Sequence, residues 1–578
     1  MLIDARRISA HETLETEVCI IGAGPAGIAL ARELMGQNFR VCLLETGGFE
    51  PDAEIQNLAA GEGDTIGDFY PGAIYMRTRQ YGGTANQWSI DMGNQRPGVR
   101  YVTLDPIDFE KRDWVPYSGW PITKADLDPY YERAHTVCQT GPYDYDVASW
   151  EDEQAKRIPF KSDRLTTQMF HFGPRGVFTE DYRSELEQSQ NVTLCIYATA
   201  LELETDESAN AVRKVRVGTL SGNEFWVAAR YVILTLGGLE TARLLLLSNK
   251  TQKTGLGNAN DLVGRFLMDH PIIRSGKLLP ADRQVIHSLK LYDARWTKGA
   301  MVIAKPVLSE ETKRRERLLN MNMALFPRAD IHKYSLLRTL LPQGRRYRSP
   351  AIESAQAVVK SLKHREFPDN LGGHLGNLIK GMDDLIYYQW RKKPRFDHQY
   401  GFDTGGWSQL DNLDKRFGCF ETFHLTEQIP DPSNRVTLGV ERDRLGCRKM
   451  QIHWRWGDQD MQSAKRSLEI FANEFAQAGL GTLKLELDRG VPQVFLPSIH
   501  HHMGTTRMHN DPKQGVVNAD CQVHGVPNLF IASSSVFTTG GYANPTLTIV
   551  ALAIRVADQV KAQMTQQSLV QQGGNSSV

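Results

Sequence analysis

Polar side chains that can move a proton gather near the C-terminus. Three consecutive histidines, His500, His501 and His502, precede a Met-Gly-Thr sequence, and Asn544 follows later, directly before a proline. An imidazole can take a proton near neutral pH, and a carboxamide beside it can hold a hydroxyl group by hydrogen bonding. The combination suits removal of the hydroxyl proton of an alcohol whose carbon is oxidised by a flavin.

The elements around these side chains are predicted to bring them together. Residues 528–532 are typical of a buried strand, and Gly540 and Gly541 indicate a turn. Pro545 is predicted at the first position of an apolar helix over residues 546–560, where proline is tolerated. The spare N–H groups and partial positive charge of that helix N-terminus favour electron-rich ligands.

A complete βαβ pattern lies near the N-terminus. Residues 18–21 predict a buried strand, the sequence Gly22-Ala23-Gly24-Pro25-Ala26-Gly27 follows at once, residues 28–35 predict a helix, and residues 39–44 predict a second strand that ends at Glu45. The glycines allow the backbone to approach a pyrophosphate at the helix N-terminus, and Glu45 can bind ribose hydroxyls.

The alternative interpretation of this pattern is a sterically tight turn without a ligand. A strand, a helix and an acid at the right places make dinucleotide binding the stronger hypothesis. Glu45 would repel a 2′-phosphate, which disfavours NADP. The fingerprint alone does not separate NAD from FAD.

Two further glycine pairs also predict close approach of the backbone to a cofactor. Gly82, Gly83 and Thr84 permit close backbone approach, and Asn86 and Gln87 can hydrogen-bond the edge of a heteroaromatic ring; the alternative is a surface turn packed by Trp88.

Residues 231–236 predict another buried strand, which ends at Gly237 and precedes a helix over residues 240–247. A second helix N-terminus is thereby expected beside the dinucleotide. Asp269 and His270 are adjacent before a proline, and we interpret this histidine as structural.

Composition is ordinary for a soluble globular chain of 578 residues with 41% hydrophobic and 23% charged residues. The formal net charge of zero gives no global field that would favour nucleic acid or a membrane surface. The seven scattered cysteines lack a C-x-x-C motif, which argues against a disulfide framework or a zinc site. Without a signal pattern or a membrane-spanning run, we expect a cytoplasmic protein.

The chain is expected to be α/β, α+β overall, with two sheet-based domains. A discontinuous dinucleotide-binding domain is predicted over residues 1–100, 190–285 and 495–565, and a substrate-binding domain over residues 101–189 and 286–494. Residues 328–395 carry 14 Lys and Arg against 6 Asp and Glu; a solvated helical insertion is favoured over a lid, docking arm or anionic contact. The tail, residues 566–578, is predicted to be disordered.

With these motifs read together, the chain resembles the glucose–methanol–choline (GMC) family of FAD-dependent alcohol oxidoreductases. The resemblance is strongest over residues 18–48, 81–88, 118–131, 231–247 and 501–560, and is loose over about residues 290–480. Within the family the chain looks closest to bacterial sugar and polyol oxidoreductases and pyranose oxidases. The resemblance implies a Rossmann-like FAD-binding domain joined to a substrate domain, as in p-hydroxybenzoate-hydroxylase-like architectures.

The family pattern implies roles for individual residues. The catalytic histidine falls on His501 and its partner on Asn544; His502 is the main rival for the base. Gln87 stands where related pyranose oxidases carry a flavin-linked histidine, so FAD is expected to be non-covalent, and Ser533 replaces an acid common in the family. The implied cofactor-binding residues are Gly22, Gly24, Pro25, Ala26, Gly27, Glu45, Thr46, Gly82, Gly83, Thr84, Asn86, Gln87, Trp88, Ala200, Gly237, Ser534, Asn544, Pro545 and Thr546.

The expected reaction is oxidation of a CH–OH group of a sugar, glycoside or polyol to a ketone or aldehyde. Oxygen, a quinone or a redox protein is the expected electron acceptor, and a homo-oligomer is allowed. The alternatives are a non-sugar alcohol as substrate, an FAD-containing lyase that uses His501 for acid–base chemistry, a flavin-binding scaffold and a nicotinamide dehydrogenase. Metal binding by the histidine tract is a weaker hypothesis, because carboxylate or cysteine partners are not evident.

Overall fold

The structure is a computed structural model. It describes residues 1–92, 97–329, 350–363, 368, 370–382, 385 and 401–574. Two large sheets organise these residues, and the predicted α/β class with a Rossmann-like sheet and a second sheet is confirmed. The described part of the basic insertion, residues 328–395, includes the helices Pro350–Lys363 and Leu371–Lys380; most of its other residues lie outside the described ranges, and the lid and docking hypotheses are not tested.

The first sheet is built around parallel strands. Their sequences are short apolar runs because both faces of a parallel sheet are covered by other elements. In the strand Thr13–Ile21, residues 18–21 are almost fully buried. In spatial order the parallel strands are Leu2–Asp4, Val192–Ile196, Val41–Leu44, Thr13–Ile21, Glu224–Leu234 and Leu529–Ile531.

The carboxyl ends of these strands meet at one edge of the sheet. Gly22 follows Thr13–Ile21 directly, Glu45 follows Val41–Leu44, and Gly237 comes shortly after Glu224–Leu234. Open α/β sheets bind ligands outside the carboxyl ends of their strands. The topology therefore gathers glycines and an acid that are far apart in the sequence.

An antiparallel meander extends the same sheet. The strands Thr199–Thr205, Val212–Gly218 and Glu224–Leu234 pair in that order. The strand Val192–Ile196 lies outside this meander and pairs in parallel with Val41–Leu44; the chain turns at Tyr197, which has a positive φ of 59°. The strand predicted over residues 231–236 differs from the structure at both ends: it is the last part of Glu224–Leu234, in which no glycine or proline interrupts the extended chain.

The second sheet is mostly antiparallel and covers the other half of the molecule. Two of its strands, Ala300–Leu308 and Met321–Ala329, confirm the sheet expected beyond residue 290. In spatial order it contains Gly481–Leu485, Ile272–Pro280, Phe417–Thr426, Met321–Ala329, Ala300–Leu308, Leu165–Pro174, Pro97–Tyr101 and Ile90–Asp91, with Arg295–Thr297 and Gln493–Leu496 paired at its sides. A small third sheet contains Arg435–Arg442, Arg448–Trp454 and Ile66–Gly67.

Helices cover both sheets. The helix Asp458–Gln477 spans 20 residues, and Lys124–Val137 begins with a capping box between Thr123 and Asp126. The α-helices are Pro25–Glu33, Ala53–Asn57, Pro106–Phe109, Lys124–Val137, Val147–Trp150, Arg183–Gln188, Gly237–Leu247, Val285–Ser288, Glu310–Glu316, Pro350–Lys363, Leu371–Lys380, Leu413–Arg416, Asp458–Gln477 and Thr546–Gly574. Short 3₁₀ or π turns are Ala5–Arg7, Ala73–Tyr75, Gly83–Gln87, Val177–Asp181, Lys290–Tyr292, Trp407–Gln409 and Ser534–Val536.

The last helix, Thr546–Gly574, packs against Pro25–Glu33 and Lys124–Val137. It runs well beyond residue 560 and through most of the tail predicted to be disordered. The tail before Gly573 is rich in glutamine and lacks proline and glycine, so nothing in its sequence ends the helix. None of the helices in the described part of the chain has the length and apolar character needed to cross a membrane.

Candidate active site

The glycine-rich turn is held between the first sheet and Glu45. The two carboxylate oxygens of Glu45 accept hydrogen bonds of 2.9 Å from the backbone N–H groups of Ala23 and Gly47. Burial raises the pKa of Glu45 to about 7, although those N–H groups favour the ionised form. Glu45 thus braces the turn from the inside and leaves its remaining lone pairs for a ligand.

The glycines are required by close contacts. A Cβ at Gly27 would collide with the carbonyl oxygen of Gly22, and Gly22 itself has a positive φ of 108°. A Cβ at Gly83 would lie 3.0 Å from the Cα of Gly24, so two glycine backbones face each other across this turn. Gly24 is the N-cap residue of the helix Pro25–Glu33, so no side chain caps this helix. Its first N–H groups are therefore available to an anion, and the turn fits the pyrophosphate of a dinucleotide such as FAD.

The 81–88 segment packs onto this turn. The N–H of Gly82 donates to the carbonyl of Ala23 at 2.8 Å, which joins the two glycine-rich sequences. Asn86 uses its amide nitrogen on the carbonyl groups of Tyr81 and Gly83 at 2.9 Å, so it also maintains the local 3₁₀ turn. Thr84 is half-buried within that turn, Gly83–Gln87.

Gln87 and Trp88 lie at the outer end of the segment. Gln87 is exposed and donates to the hydroxyl of Thr78 at 2.9 Å. Trp88 makes edge-to-face contacts with Tyr101 and Phe178.

Other predicted cofactor residues lie along the same edge of the sheet. Ala200 follows Ala198, whose N–H donates to the carbonyl of Glu45 at 2.8 Å. Thr46 accepts a hydrogen bond of 3.2 Å from Arg79, a residue that the sequence analysis did not single out. The Nε of Arg79 is buried and has no hydrogen-bond partner. The only sequence signal for Arg79 is its position just before the Tyr-Gly-Gly motif.

His501 and Asn544 meet, although they come from separate loops. The Nε2 of His501 lies 3.3 Å from the amide nitrogen of Asn544. The amide oxygen of Asn544 is buried and has no hydrogen-bond partner. A buried, unpaired acceptor of this kind is costly unless a ligand supplies a donor. The pair can therefore receive a hydroxyl group.

The backbone of the three histidines is not extended throughout. His500 has a positive φ of 68° and an exposed side chain. His502 is buried, and its Nε2 lies 3.8 Å from a carboxylate oxygen of Asp269. Because the backbone turns at His500, only His501 contacts Asn544 among the three.

Burial favours the neutral forms of His501 and His502. Burial lowers the pKa of His501 well below its ordinary value, and the neighbouring His270 adds to this effect. Burial also lowers the pKa of His502 to about 4. A neutral imidazole is the form that can accept a proton, so His501 is ready to act as a base at neutral pH.

Asp269 and His270 lie beside the candidate base, which the sequence analysis did not predict. The Nδ1 of His270 lies 2.9 Å from the Nδ1 of His501. Asp269 is fully buried and accepts hydrogen bonds from Ser498 at 2.5 Å and Tyr70 at 2.7 Å. Their adjacency in the sequence was the available signal.

The remaining predicted residues frame this site. Ser534 donates its hydroxyl to the backbone carbonyl of His502 at 2.6 Å, and Ser533 accepts from the N–H of Ser535. A Cβ at Gly238 would collide with the backbone of His502, while Gly237 has a positive φ of 70° and open space beside it. Pro545 lies just before the helix that begins at Thr546, and its carbonyl accepts the first helical hydrogen bond at 2.9 Å.

Within the residues that the structure describes, no group of three or more His, Cys, Asp or Glu side chains is arranged to hold a metal ion. Within the described residues, none of the seven cysteines forms a disulfide bond.

The chain is similar in sequence to several known proteins. Residues 430–553 match the family model described as GMC oxidoreductase. The 2-methyl-1,2-propanediol dehydrogenase of Mycolicibacterium austroafricanum is 24% identical, over 94% of this chain and 95% of that protein. The fructose dehydrogenase large subunit of Gluconobacter japonicus is 23% identical, over 95% of this chain and 98% of that protein. Paromamine 6'-oxidase of Streptomyces fradiae is 29% identical, over 94% of this chain and 91% of that protein.

Proposed function

We propose that the chain is an FAD-dependent GMC oxidoreductase, as the match of residues 430–553 to that family supports, and that it oxidises a CH–OH group of a sugar, glycoside or polyol to the ketone or aldehyde. The observation that carries the proposal is the 3.3 Å contact between His501 Nε2 and Asn544 in a buried site. Relatives named for a propanediol, for fructose and for paromamine support a polyhydroxylated substrate.

The residues divide the work between binding and proton transfer. The turn at Gly22, Gly24 and Gly27, braced by Glu45, holds the pyrophosphate end of FAD. FAD, when bound, supplies the acceptor for the hydride that leaves the substrate carbon. His501 takes the hydroxyl proton at Nε2, and Asn544 orients the hydroxyl through its amide.

We propose that FAD is bound without a covalent link through the Tyr-Gly-Gly segment. Gln87 stands where related pyranose oxidases carry the flavin-linked histidine, and its carboxamide is too weak a nucleophile to form a bond to the flavin. Its exposed amide donates to Thr78. Cysteines without disulfide bonds also suit the cytoplasmic location that we propose.

The experiment is anaerobic mixing of the purified holoenzyme with a panel of sugars, glycosides and simple alcohols, followed by absorbance of the flavin. We expect one class to bleach the flavin. His501→Ala should keep its FAD and lose at least about 10³-fold in the rate constant of bleaching, because the proton has no acceptor. The matched control is His500→Ala, an exposed neighbour whose loss should change the rate constant less than about twofold.

The outcomes separate the alternatives. Normal bleaching of His501→Ala would remove His501 from the mechanism. A flavin that no alcohol reduces, combined with turnover of an alcohol by bond cleavage, would indicate the lyase. Admitting air after bleaching distinguishes oxygen from a quinone or redox protein as the electron acceptor, because only oxygen would restore the absorbance.

A further inference from the structure

His270 and His501 share a hydrogen bond that constrains where their protons lie. Their Nδ1 atoms are 2.9 Å apart and their rings are nearly perpendicular, at 89°. Two ring nitrogens at this distance require one hydrogen between them, because two bare nitrogens or two N–H groups would repel. One histidine therefore donates and the other accepts.

The surroundings of the other nitrogen of His270 favour one direction. His270 Nε2 is buried, has no hydrogen-bond partner among the described residues, and lies beside the backbone of Gly540, where an added Cβ would be 3.2 Å from it. A backbone carbonyl can only accept, so this side of the ring favours the hydrogen of neutral His270 on Nε2 and leaves Nδ1 as the acceptor.

The same assignment satisfies the far side of His501. If His501 donates from Nδ1 to His270, its Nε2 is bare and faces the amide nitrogen of Asn544 at 3.3 Å. An amide N–H is a donor, which requires an acceptor at Nε2. When Nε2 gains a proton from the substrate, the hydrogen bond from Nδ1–H to His270 persists with added charge, while the amide of Asn544 gives up its hydrogen bond to Nε2.

Asp269 anchors both histidines through their backbone. Its Oδ1 accepts the N–H of His270 at 2.7 Å and that of His501 at 3.2 Å. Burial alone would raise the pKa of Asp269, but His502, His501 and the hydroxyls of Ser498 and Tyr70 lower it below its usual value. A buried carboxylate beside the pair favours the imidazolium that forms when His501 is protonated.

From this arrangement we propose that His270 is a positioning residue. It holds the ring of His501 and fixes its tautomer so that Nε2, not Nδ1, takes the hydroxyl proton, while Asp269 aligns the two histidines. The inference rests on the proposed function, because it assigns the atom of His501 that acts as the base. The proton step breaks the substrate O–H bond and forms an N–H bond at His501 Nε2.

The substitutions His270→Leu and His270→Asn test the proposal as a matched pair, because leucine and asparagine have the same shape. Asparagine can place an amide oxygen where Nδ1 stands, and leucine cannot. We expect His270→Leu to lower the rate constant of flavin bleaching about 100-fold with little change in substrate Kd, and His270→Asn to recover all but about 10-fold. His424→Leu removes another fully buried histidine and should leave the rate constant within about twofold.

A second measurement does not depend on activity. In the holoenzyme labelled with ¹⁵N-histidine, resonances assigned by their loss in His501→Asn report which ring nitrogen carries hydrogen. We expect Nδ1 of His501 to be protonated and Nε2 to be bare in the wild type, and a mixture of tautomers in His270→Leu. This spectrum decides the question even if the leucine variant does not fold.

Protonated Nε2 in the wild type, or His270→Leu with the wild-type rate constant, would overturn the proposal. These results are distinct from failure of the proposed function. If His501→Ala bleaches normally, the base itself is wrong. If His501→Ala is inactive and both His270 variants are unaffected, only the positioning role is wrong.

Discussion

At the scale of single residues, three neighbouring histidines have three different environments. His500 is exposed and its Nδ1 lies 3.2 Å from the carbonyl oxygen of Met76. His501 contacts Asn544 and His270, whereas His502 points its Nε2 toward Asp269. All three residues are histidines at adjacent positions, so the burial and contacts of each side chain decide which one can act as a base.

The lowered pKa of His501 predicts a flat acid limb in the pH profile. Burial disfavours its charged form, so the imidazole stays neutral below its ordinary pKa of about 6.5. The rate constant of flavin bleaching at saturating substrate should fall less than about twofold from pH 8 to pH 6. An unperturbed histidine would lose about fourfold over this range. Rapid-mixing absorbance measures the rate constant, and a half-maximal value at pH 6.5 or above would contradict the expectation.

At the scale of elements, strand register places a buried lysine, Lys305, beside polar and aromatic side chains in the second sheet. Lys305 lies on Ala300–Leu308 and donates to the amide oxygen of Asn322 on the neighbouring strand at 3.2 Å. Its ammonium also lies 4.6 Å from the ring of Phe170. Lys305 is 3% exposed, and within the described residues it forms no ion pair. Burial, followed by the nearby Arg100, lowers the pKa of Lys305 well below its ordinary value.

This buried lysine predicts a stabilising substitution. Because the folded-state pKa is lowered, the unfolded chain binds the proton more tightly, and the wild type loses stability as pH falls from about 10.5 toward that lowered value. Lys305→Met avoids this loss, which outweighs the hydrogen bond to Asn322. It should raise the stability at pH 7 by about 1–2 kcal/mol and by less at pH 10.

Thermal midpoints at the two pH values measure the effect. The control is Lys298→Met, an exposed lysine on the same hairpin, which should change the midpoint by less than the measurement error. If Lys305→Met is less stable than the wild type at both pH values, the contacts of Lys305 outweigh the cost of its burial and the explanation is wrong.

At the scale of the whole molecule, the segment after the helix Pro106–Phe109 joins the second sheet to the loop that carries Asn544. Arg112 binds both carboxylate oxygens of Glu427, at 2.9 and 2.5 Å, with both side chains fully buried. The hydroxyl of Thr539 donates to the carbonyl of Asp108 at 2.5 Å and accepts from the indole of Trp120 at 3.0 Å. These contacts connect the second sheet with the loop that carries Asn544.

Breaking the buried pair should destabilise the protein strongly. Arg112→Met leaves the carboxylate of Glu427 buried without its partner and should cost about 3–5 kcal/mol. The double variant Arg112→Met with Glu427→Gln should cost less than the single variant, because no uncompensated charge remains. Denaturant unfolding of the holoenzymes measures both. A double variant that is less stable than Arg112→Met would contradict the explanation.

The sequence by itself determined the local elements and the family-like motifs. The glycine-rich turn, the strands on either side of it and Glu45 could be predicted because each depends on neighbouring residues, on apolar runs and on the conformations that glycine permits. The second sheet was predictable in outline from its strand-like runs. The long last helix was underestimated, because a glutamine-rich tail reads as disorder when nothing shows what the helix packs against.

Only the tertiary structure decided how the proton-handling residues meet. The contact between His270 and His501 joins residues more than 200 positions apart, and its existence depends on the turn at His500 and on the buried carboxylate of Asp269. Side-chain direction, burial and tautomer follow from packing across separate elements, so no local pattern encodes them. For the same reason His270 reads as a structural residue in the sequence and lies beside the candidate base in the fold.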